Sequence, residues 1–551
     1  MRTRHPGQLL ATDAGGNPRA PLTDVTRAAE RFTRVAALAA SLVVLTGAFA
    51  VWSLDRSPLP DIDETYIASA AAALSRGESG VPSVLAQGTW NVDFERAYGP
   101  IFFRLVSVSI RMFGLSAVSV RAVCLFGASL AAVAAGWMVR RAGAAPSWAV
   151  VAGAIVWLSP LVGSAASNGR MDSLAAGLEV LATALIVIPN TERSRTAAAH
   201  GGASGVCLAL AVLCTPRALL FAAALPFACV LVAVAARSVP RSAIIACGTA
   251  TVVSGGLFLL WLTAGHVSPA VWLRDTIAGT SADIFNSVVG EDARVWSMTT
   301  VSAVDVCVIA SLLGVTIGID KRTRGACPWT LWLVVAWTLI NGVLYIVRVN
   351  HTFFRGIYFL TPLLAAALAW SAATVHGQPG RARVVVASWA AVLALYTGAR
   401  LMKSAEVVAT WAQRDPAGLE AFFRMRVPRG SLVYGFDQFY FYAIERSGSR
   451  FETYVLSPFA GSPTIGRPPA GSVASLTKAM AGHYFVWPDD AEHFPMPDAL
   501  RCVLPYRVGS FDTPPPALPV LHRISAFGRY AYLHGYPRTG LFRIPQSCPA
   551  D

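Results

Sequence analysis

Charged residues are scarce in this sequence. Only 14% of its 551 residues are Asp, Glu, Lys or Arg, whereas about a quarter is usual in soluble domains. Hydrophobic residues make up 54% of the chain, and the mean hydropathy is +0.52. Because so few charges could not keep a chain of this length soluble, lipid must surround much of it. The sequence therefore predicts an integral membrane protein.

Several signatures of other protein classes are also missing. The net charge is +14, but the basic residues lie in short loops between apolar runs and no nucleic-acid-binding motif accompanies them. The nine cysteines show no metal-type spacing. There is no internal repeat. These absences argue against a nucleic-acid-binding protein and a zinc module, and they leave membrane topology as the explanation of the charge.

Long apolar runs recur through the first 400 residues. The run at 34–54 lies too far from the first residue to be a cleaved signal peptide, and many others follow it. A membrane-spanning helix needs about 20 apolar residues. The other candidate spans are 117–139, 146–166, 172–188, 203–219, 221–236, 243–264, 301–319, 329–347, 357–375 and 384–402. We expect about eleven spans.

The basic residues predict the orientation of these spans, because Lys and Arg are enriched in cytoplasmic loops. They precede the first span or lie in short loops: Arg2, Arg4, Arg19, Arg27, Arg31, Arg34, Arg140, Arg141, Arg193, Arg195, Arg237, Arg241, Lys321, Arg322, Arg324, Arg381 and Arg383. We therefore expect a multi-pass protein of the cytoplasmic (inner) membrane. Its parts would be a disordered cytoplasmic tail (1–33), a transmembrane domain (34–403) with a large outer loop (55–100), and an extracytoplasmic domain (404–551).

Two segments differ from the simple spanning pattern. Residues 101–115 are apolar but too few to span, and Arg104 and Arg111 lie on one face, so we predict an interfacial helix there. After residue 403 proline and polar residues increase and long apolar runs end, which predicts a small α/β domain. Its two cysteines, Cys502 and Cys548, could pair in an oxidising compartment, and the sequence leaves that open.

The loop after the first span carries three carboxylates, Asp61, Asp63 and Glu64, followed by a helical pattern. They could simply cap that helix and complement its dipole. Three carboxylates at the mouth of a helix bundle can also hold a cation or take a proton from an acceptor. Both interpretations stay open at this point.

Four motifs in order along the chain resemble those of the GT-C membrane glycosyltransferases. They are Asp63-Glu64-x-Tyr66, the segment 98–121 with Phe-Gly-x-Ser and a later Arg, Asn168-Gly-Arg-Met-Asp172, and Arg355-Gly-Ile-Tyr-Phe-Leu-Thr-Pro362. This superfamily includes protein O-mannosyltransferases, aminoarabinose transferases of lipid A and related polyprenyl-phosphate-sugar enzymes. One departure is Tyr98-Gly99-Pro100, where relatives often carry His-Pro-Pro or Lys-Pro.

The resemblance implies a fold and an activity. The fold would be an all-α polytopic membrane bundle, GT-C-like, with a C-terminal extracytoplasmic α/β domain. The activity would be transfer of a sugar from a polyprenyl-phosphate donor to a glycan, lipid or protein acceptor on the outer face of the membrane, with inversion. Asp63 would deprotonate the acceptor, with Asp61 as its rival and Glu64 beside them.

The same resemblance implies further site residues. Asp172, Arg170 and Tyr98 would bind the acceptor or a cation, although Asp172 could instead cap a helix. Arg348, His351 and Arg355 would bind the donor phosphate, although they could instead contact lipid headgroups. No cofactor is certain, a divalent cation is an open possibility, and the metal is unknown. Glu179 and Asp305 are expected to form polar contacts between helices.

The alternative function is a non-enzymatic glycolipid transporter or flippase. Transporters usually place paired charges or broken helices at mid-membrane and often contain repeats. This chain instead has its carboxylates in an outer loop and a large outer domain, which favours the enzyme.

Overall fold

The computed structural model describes most of the chain. The described residues are 22–57, 62–81, 95, 98–187, 193–235, 239–265, 268–270, 272, 291–320, 329–348, 356–375, 379–435, 439–443, 450–453, 481–489, 496, 498–513 and 538–546.

Helices dominate these residues up to 426. They are α1 Leu22–Trp52, α2 Ile62–Ser75, α3 Pro100–Phe113, α4 Ala117–Arg141, α5 Pro146–Leu158, α6 Pro160–Ala165, α7 Asp172–Ile186, α8 Ser194–Cys214, α9 Leu219–Ala235, α10 Arg241–Ala264, α11 Glu291–Asp320, α12 Trp329–Arg348, α13 Ile357–Thr374, α14 Pro379–Ala409 and α15 Pro416–Arg426. Seven of the described helices are long and apolar enough to cross a membrane, and three shorter apolar ones accompany them. The all-α membrane bundle is therefore confirmed, while the number of about eleven spans stays a prediction.

Small residues let the helices of the bundle approach closely. A Cβ atom on Gly127 of α4 would lie 2.5 Å from the Cα of Leu174 in α7, and one on Gly201 of α8 would collide with the backbone of Ala246 in α10. Close backbone contact replaces the hydrophobic effect as the source of helix association in lipid. Large apolar side chains such as Val133 and Val234 face outward instead, as expected of lipid-facing positions.

Two predicted spans have different limits in the structure. The span 146–166 is broken between α5 and α6, because Pro160 lacks the N–H that would continue the helix and Ser159 adopts an extended ψ of 130°. The pair 203–219 and 221–236 is divided earlier than expected. Thr215 is extended ahead of Pro216, so α8 ends at Cys214 and a 3₁₀ turn at Pro216–Ala218 precedes α9.

Other element limits also shift. Helix α1 begins at Leu22, inside the tail predicted to be disordered, and α11 begins at Glu291, inside the predicted loop 266–300. Helix α14 continues to Ala409, beyond the predicted domain limit at 403. Apolar runs mark the lipid-exposed part of a helix but not its polar extensions, which explains these differences.

Helix α3 occupies the segment predicted to be interfacial. Its 14 residues span about 21 Å, which is short for a bilayer core of about 30 Å. Its residues Phe102 and Phe103 are buried against the rest of the bundle. Arg111 donates to the carbonyls of Leu74 and Ser75, at 3.3 and 3.2 Å, and so caps the C-terminal end of α2.

The C-terminal segment forms a five-stranded sheet in the order β2-β1-β3-β5-β4. The strands are β1 Leu432–Gly435, β2 Arg450–Thr453, β3 Tyr484–Pro488, β4 Arg507–Phe511 and β5 Thr539–Arg543, with a short helix α16 at Tyr440–Ala443. Strand β1 is parallel to β2 and β3, whereas β5 is antiparallel to β3 and β4. The predicted α/β domain is confirmed. Cys502 forms a disulfide, and Cys548 lies outside the described residues.

Contacts near the end of α14 join this domain to the bundle. Trp52 and Trp411 stack at 3.8 Å between ring centroids. The guanidinium of Arg56 lies over Trp411 at 4.3 Å and forms an ion pair with Asp415 at 3.3 Å. Paired tryptophans are typical of the depth of lipid headgroups, so this junction marks one end of the bundle.

Candidate active site

The two acidic residues of the first motif lie side by side in the first turn of α2 but have different surroundings. Glu64 is buried, with its side chain 1% exposed, whereas the Asp63 side chain is 25% exposed. Consecutive helical residues point about 100° apart, so neighbouring carboxylates enter different environments.

Glu64 forms a bidentate ion pair with Arg121 of α4. Nε of Arg121 donates to Oε1 at 2.7 Å and Nη2 donates to Oε2 at 2.8 Å. Nη1 of Arg121 donates to the carbonyl of Leu54 at 2.7 Å. A fully buried, doubly hydrogen-bonded pair of this kind fixes the position of the first loop against the bundle. It also leaves both oxygens of Glu64 engaged.

Arg170 bridges the other two carboxylates of the site. Its Nη1 donates to Oδ2 of Asp63, and its Nε donates to Oδ2 of Asp172 at 2.7 Å. Among the described residues, no hydrogen-bond donor reaches the other oxygen of Asp63, Oδ1. Asp63 therefore presents one fixed and one open carboxylate oxygen.

Asp172 joins two further helices to this cluster. Its Oδ1 accepts from Nη1 of Arg217 at 3.3 Å and from the hydroxyl of Tyr358, the second residue of α13. Met171, not Asp172, is the N-cap residue of α7, and it makes no side-chain cap hydrogen bond. The carboxylate thus holds side chains from three chain segments together rather than capping its helix.

The turn before α7 has the shape needed to place Arg170. Gly169 adopts a φ of +67°, and a Cβ atom there would lie 2.5 Å from Cδ of Glu64. Oδ1 of Asn168 accepts from the backbone N–H of Arg170 at 3.2 Å, and the Cys124 thiol donates to the carbonyl of Arg170 at 3.0 Å. Only glycine fits this position without strain and without a clash.

Tyr98 lies next to this cluster. Gly99 adopts a φ of +104°, and a Cβ atom there would collide with the backbone of Leu213 near the end of α8. This close approach holds Tyr98 near the turn that carries Arg217. The two side chains are close enough to interact electrostatically. The ring of Tyr98 also packs against Phe103, at 6.3 Å between centroids.

Residues of all four motifs thus meet in one cluster. Asp63 and Glu64 come from the first motif, Arg121 from the second, Arg170 and Asp172 from the third and Tyr358 from the fourth. The charges balance, because the carboxylates Asp63, Glu64 and Asp172 face the guanidiniums Arg121, Arg170 and Arg217.

Some of the predicted residues cannot be placed. Asp61, His351 and Arg355 lie outside the described residues, as does the side chain of Arg348 at the end of α12. Within the described part of the chain, no group of three His, Cys, Asp or Glu residues could hold a metal ion.

Sequence patterns alone do not single out Arg217 or give a role to Tyr358. Arg217 was enclosed in the predicted span 203–219, although a lone arginine after a proline inside an apolar run is a signal of a helix end. Tyr358 belonged to the fourth motif, but only the fold shows that its hydroxyl reaches Asp172.

The two intramembrane carboxylates expected to be structural have different surroundings. Asp305 accepts from Ser159 Oγ at 3.0 Å, from the backbone N–H of Leu161 at 3.3 Å and from the hydroxyl of Tyr396. It links α11 with the break between α5 and α6 and with α14, which confirms the prediction. Glu179 is buried, and neither of its oxygens has a hydrogen-bond partner in the described part of the chain.

Comparisons with known proteins return only structural similarity. No protein-family model and no curated protein matches the chain. It is similar to the crystal structure of ArnT from Cupriavidus metallidurans bound to undecaprenyl phosphate, with 12% identity and a TM-score of 0.44 over 93% of this chain and 98% of that one. It is similar to the Archaeoglobus fulgidus oligosaccharyltransferase tethered to an acceptor peptide, with 11% identity and a TM-score of 0.47 over 83% and 69%. It is also similar to the arabinofuranosyltransferase AftD from Mycobacteria, with 16% identity and a TM-score of 0.48 over 93% and 41%. All three are similarities of overall structure at low sequence identity.

Proposed function

We propose that the chain is a membrane glycosyltransferase that moves a sugar from a polyprenyl-phosphate donor to an acceptor hydroxyl on the outer face of the cytoplasmic membrane. The observation that carries the proposal is the state of Asp63. One of its oxygens accepts a hydrogen bond from Arg170, and the other has no partner among the described residues. The side chain is partly exposed. A general base needs such an anchored but accessible oxygen.

The transfer itself requires little more than this oxygen. The acceptor oxygen forms a bond to the anomeric carbon of the sugar while its proton passes to Oδ1 of Asp63. The bond from that carbon to the phosphate oxygen breaks, and the polyprenyl phosphate leaves with the bonding electrons. Attack from the side opposite the phosphate gives inversion, and no covalent intermediate with the protein forms.

The neighbours of Asp63 have positioning roles. Arg170 orients the Asp63 carboxylate, and Asp172 holds Arg170 with the help of Arg217 and Tyr358. Glu64 is not available to the acceptor, because both its oxygens accept hydrogen bonds from Arg121. We therefore assign the base to Asp63 and a structural role to Glu64. Tyr98 would contact the acceptor from the edge of the cluster.

The donor phosphate needs positive charge beyond this cluster, because the described carboxylates and guanidiniums already balance. Arg348, His351 and Arg355 are the candidates. Arg355 precedes Tyr358 by only three residues in the sequence, and Tyr358 reaches Asp172. This short separation along the chain supports the assignment of the basic segment to the same reaction.

A divalent cation does not fit Asp63 and Asp172 as they stand. Arg170 lies between the two carboxylates and donates to both, so it occupies the position that a shared metal ion would take. The proposed transfer uses only the side chains of the protein.

The test is the substitution Asp63→Asn, which keeps the size and hydrogen-bonding capacity of the side chain but removes its charge. Purified protein in detergent would be given a panel of undecaprenyl-phosphate-linked pentoses and hexoses with membrane extract as the source of acceptors. Loss of a general base typically slows a reaction about 10²–10⁴-fold. We expect release of undecaprenyl phosphate to fall by at least about a hundredfold with unchanged thermal stability.

Two further substitutions sharpen this test. Asp55→Asn removes a carboxylate from the same loop, where its side chain is 44% exposed and lies 3.7 Å from Arg56, and this substitution should leave transfer unchanged. Asp61→Asn should matter less than Asp63→Asn. Normal transfer by Asp63→Asn together with an inactive Asp61→Asn would move the base to Asp61, and normal transfer by both would refute the mechanism.

One observation favours the alternative of a glycolipid transporter. The helix formed by α5 and α6 is broken at Ser159-Pro160, and broken helices are common at transporter substrate sites. The carboxylate of Asp305 occupies this break and accepts hydrogen bonds from Ser159 and Tyr396. The break therefore leaves no room for a substrate. In detergent a transporter would leave the sugar–phosphate bond intact, so donor cleavage by the wild-type protein distinguishes the two functions.

A further inference from the structure

A cavity with cationic and hydroxyl side chains in its wall lies between the ends of α1, α6 and α14. Two cationic side chains of α14, Arg400 and Lys403, line it one turn apart. Hydroxyl groups from three segments complete the polar part of the wall: Thr46, Ser53, Ser57, Ser167 and Ser404. The cavity measures about 40 Å³, which is room for about three groups the size of a water molecule.

The guanidinium of Arg400 is packed into this wall. It lies against the backbone of Gly163 in α6, where a Cβ atom would collide with the guanidinium nitrogens. A glycine at this position therefore gives Arg400 room to reach the cavity from α14. Lys403 approaches from the next turn of the same helix.

The cations of the cavity lack a directly paired counterion among the described residues, although the charge of Glu406 acts on Lys403 from a distance. Among the described residues, neither Arg400 nor Lys403 has an ion pair or a hydrogen bond, whereas the nearby arginines are paired. Arg121 binds Glu64, and Arg414 lies 3.8 Å from Glu406, the carboxylate closest to Lys403 in sequence. Two unpaired cations within a membrane bundle are costly unless an anion joins them.

The surroundings of the cavity indicate lipid. On α14, Leu401 and Met402 are exposed beside Lys403, and on α1 Val44 and Leu45 are exposed beside Thr46. Such apolar side chains face acyl chains in a membrane. Ser53 directly follows Trp52, and Ser57 lies one further turn along the chain. The stacking of Trp52 with Trp411 marks the headgroup region. Positive charge and hydroxyl donors thus lie at the depth at which lipid phosphates occur.

We propose that this cavity binds the phosphate headgroup of an anionic membrane lipid. Arg400 and Lys403 donate charge-assisted hydrogen bonds to the phosphate, the hydroxyls of Ser57 and Ser404 donate to its remaining oxygens, and the acyl chains lie along the exposed apolar side chains of α1 and α14. The site adjoins the surroundings of the Asp63 cluster, because the carbonyl of Leu54 accepts from Arg121 and the charge of Arg121 acts on Lys403. It does not depend on the glycosyltransferase proposal.

The test uses delipidated full-length protein in a neutral detergent and three probes: dioleoyl phosphatidate, dioleoylglycerol with the same chains but no phosphate, and inorganic phosphate. Binding is measured by native mass spectrometry and by the rise in thermal unfolding temperature. We expect phosphatidate to bind and stabilise the wild-type protein and dioleoylglycerol to do neither. The double substitution Arg400→Gln with Lys403→Gln should weaken phosphatidate binding at least about tenfold, because two charge-assisted contacts are lost.

Matched variants separate this result from a folding defect. Arg383→Gln changes an exposed arginine near the start of α14 and should bind phosphatidate like the wild type, and Lys403→Arg should retain binding. If the double variant does not fold, the comparison of Lys403→Gln with Lys403→Arg carries the test. Equal phosphatidate binding by the Gln variants would overturn the proposal. Inorganic phosphate that binds as tightly as phosphatidate would overturn the lipid assignment in favour of a free anion.

Discussion

Two adjacent carboxylates, Asp63 and Glu64, have different surroundings because they meet different arginines. Glu64 meets Arg121 inside the bundle and is saturated, whereas Asp63 meets Arg170 at the rim and keeps an open oxygen. Chemical identity therefore does not decide which carboxylate can act as a base. The arginine that each carboxylate binds, together with the resulting exposure of the side chain, decides which carboxylate could act as a base.

The turn at Gly169 permits a prediction at the residue scale. Gly169→Ala should destabilise the protein by about 2 kcal/mol or more, because the new Cβ adds a clash with the immobilised Glu64 to the cost of a positive φ. Gly143→Ala is the matched control. Its φ is +91° but no atom lies within 4 Å of the new Cβ, so only the backbone cost of about 1 kcal/mol remains. Thermal unfolding in detergent measures both, and equal losses would show that Gly169 and Glu64 are not in contact.

At the scale of elements, the breaks between helices are more informative than the helices. Pro160 and Pro216 each end one helix and begin another segment, and functional or structural polar groups collect there. Ser159 caps α6 and donates to Asp305, and Arg217 follows Pro216 and reaches Asp172. A proline inside an apolar run thus places polar side chains at depths where a continuous helix would present lipid-facing ones.

The contact of Asp305 with the α5–α6 break yields the prediction at this scale. Asp305→Ala should lower stability by about 2–4 kcal/mol, because the Ser159 and Tyr396 hydroxyls and the Leu161 N–H lose their acceptor together. Tyr396→Phe removes only one of these donors and should cost less than half as much. The measurement is thermal unfolding in detergent. A larger loss in Tyr396→Phe would mean that ring packing, not the carboxylate, holds α14 in place.

At the scale of the whole molecule, the distribution of basic residues predicts the sidedness of the membrane. The Arg140/Arg141 loop is expected in the cytoplasm, and the sheet after α14 is expected outside. Alkaline phosphatase, which folds only outside the cytoplasm, should therefore be active when fused after Asp551 and inactive when fused after Gly143. The reverse pattern would invert the orientation and would place the Asp63 cluster in the cytoplasm, which the proposed function does not allow.

The sequence by itself determined the structural class of the protein and singled out the candidate site residues along the chain. The scarcity of charge and the repeated apolar runs specify a membrane bundle, because lipid solvation acts on each segment separately and leaves a local pattern. Loss of this pattern after residue 403 likewise located the small α/β domain. The motifs located Asp63, Arg170 and Asp172, since each is a short local string of residues.

Only the tertiary structure decided which of these residues meet. The pairing of Glu64 with Arg121, the bridge through Arg170, the approach of Arg217 and Tyr358 to Asp172, and the unpaired charges of Arg400 and Lys403 join positions far apart in the chain. Local hydropathy cannot encode such contacts, because each depends on how several helices pack around small residues such as Gly127 and Gly163. The open oxygen of Asp63 is a property of that packing and not of the motif that contains it.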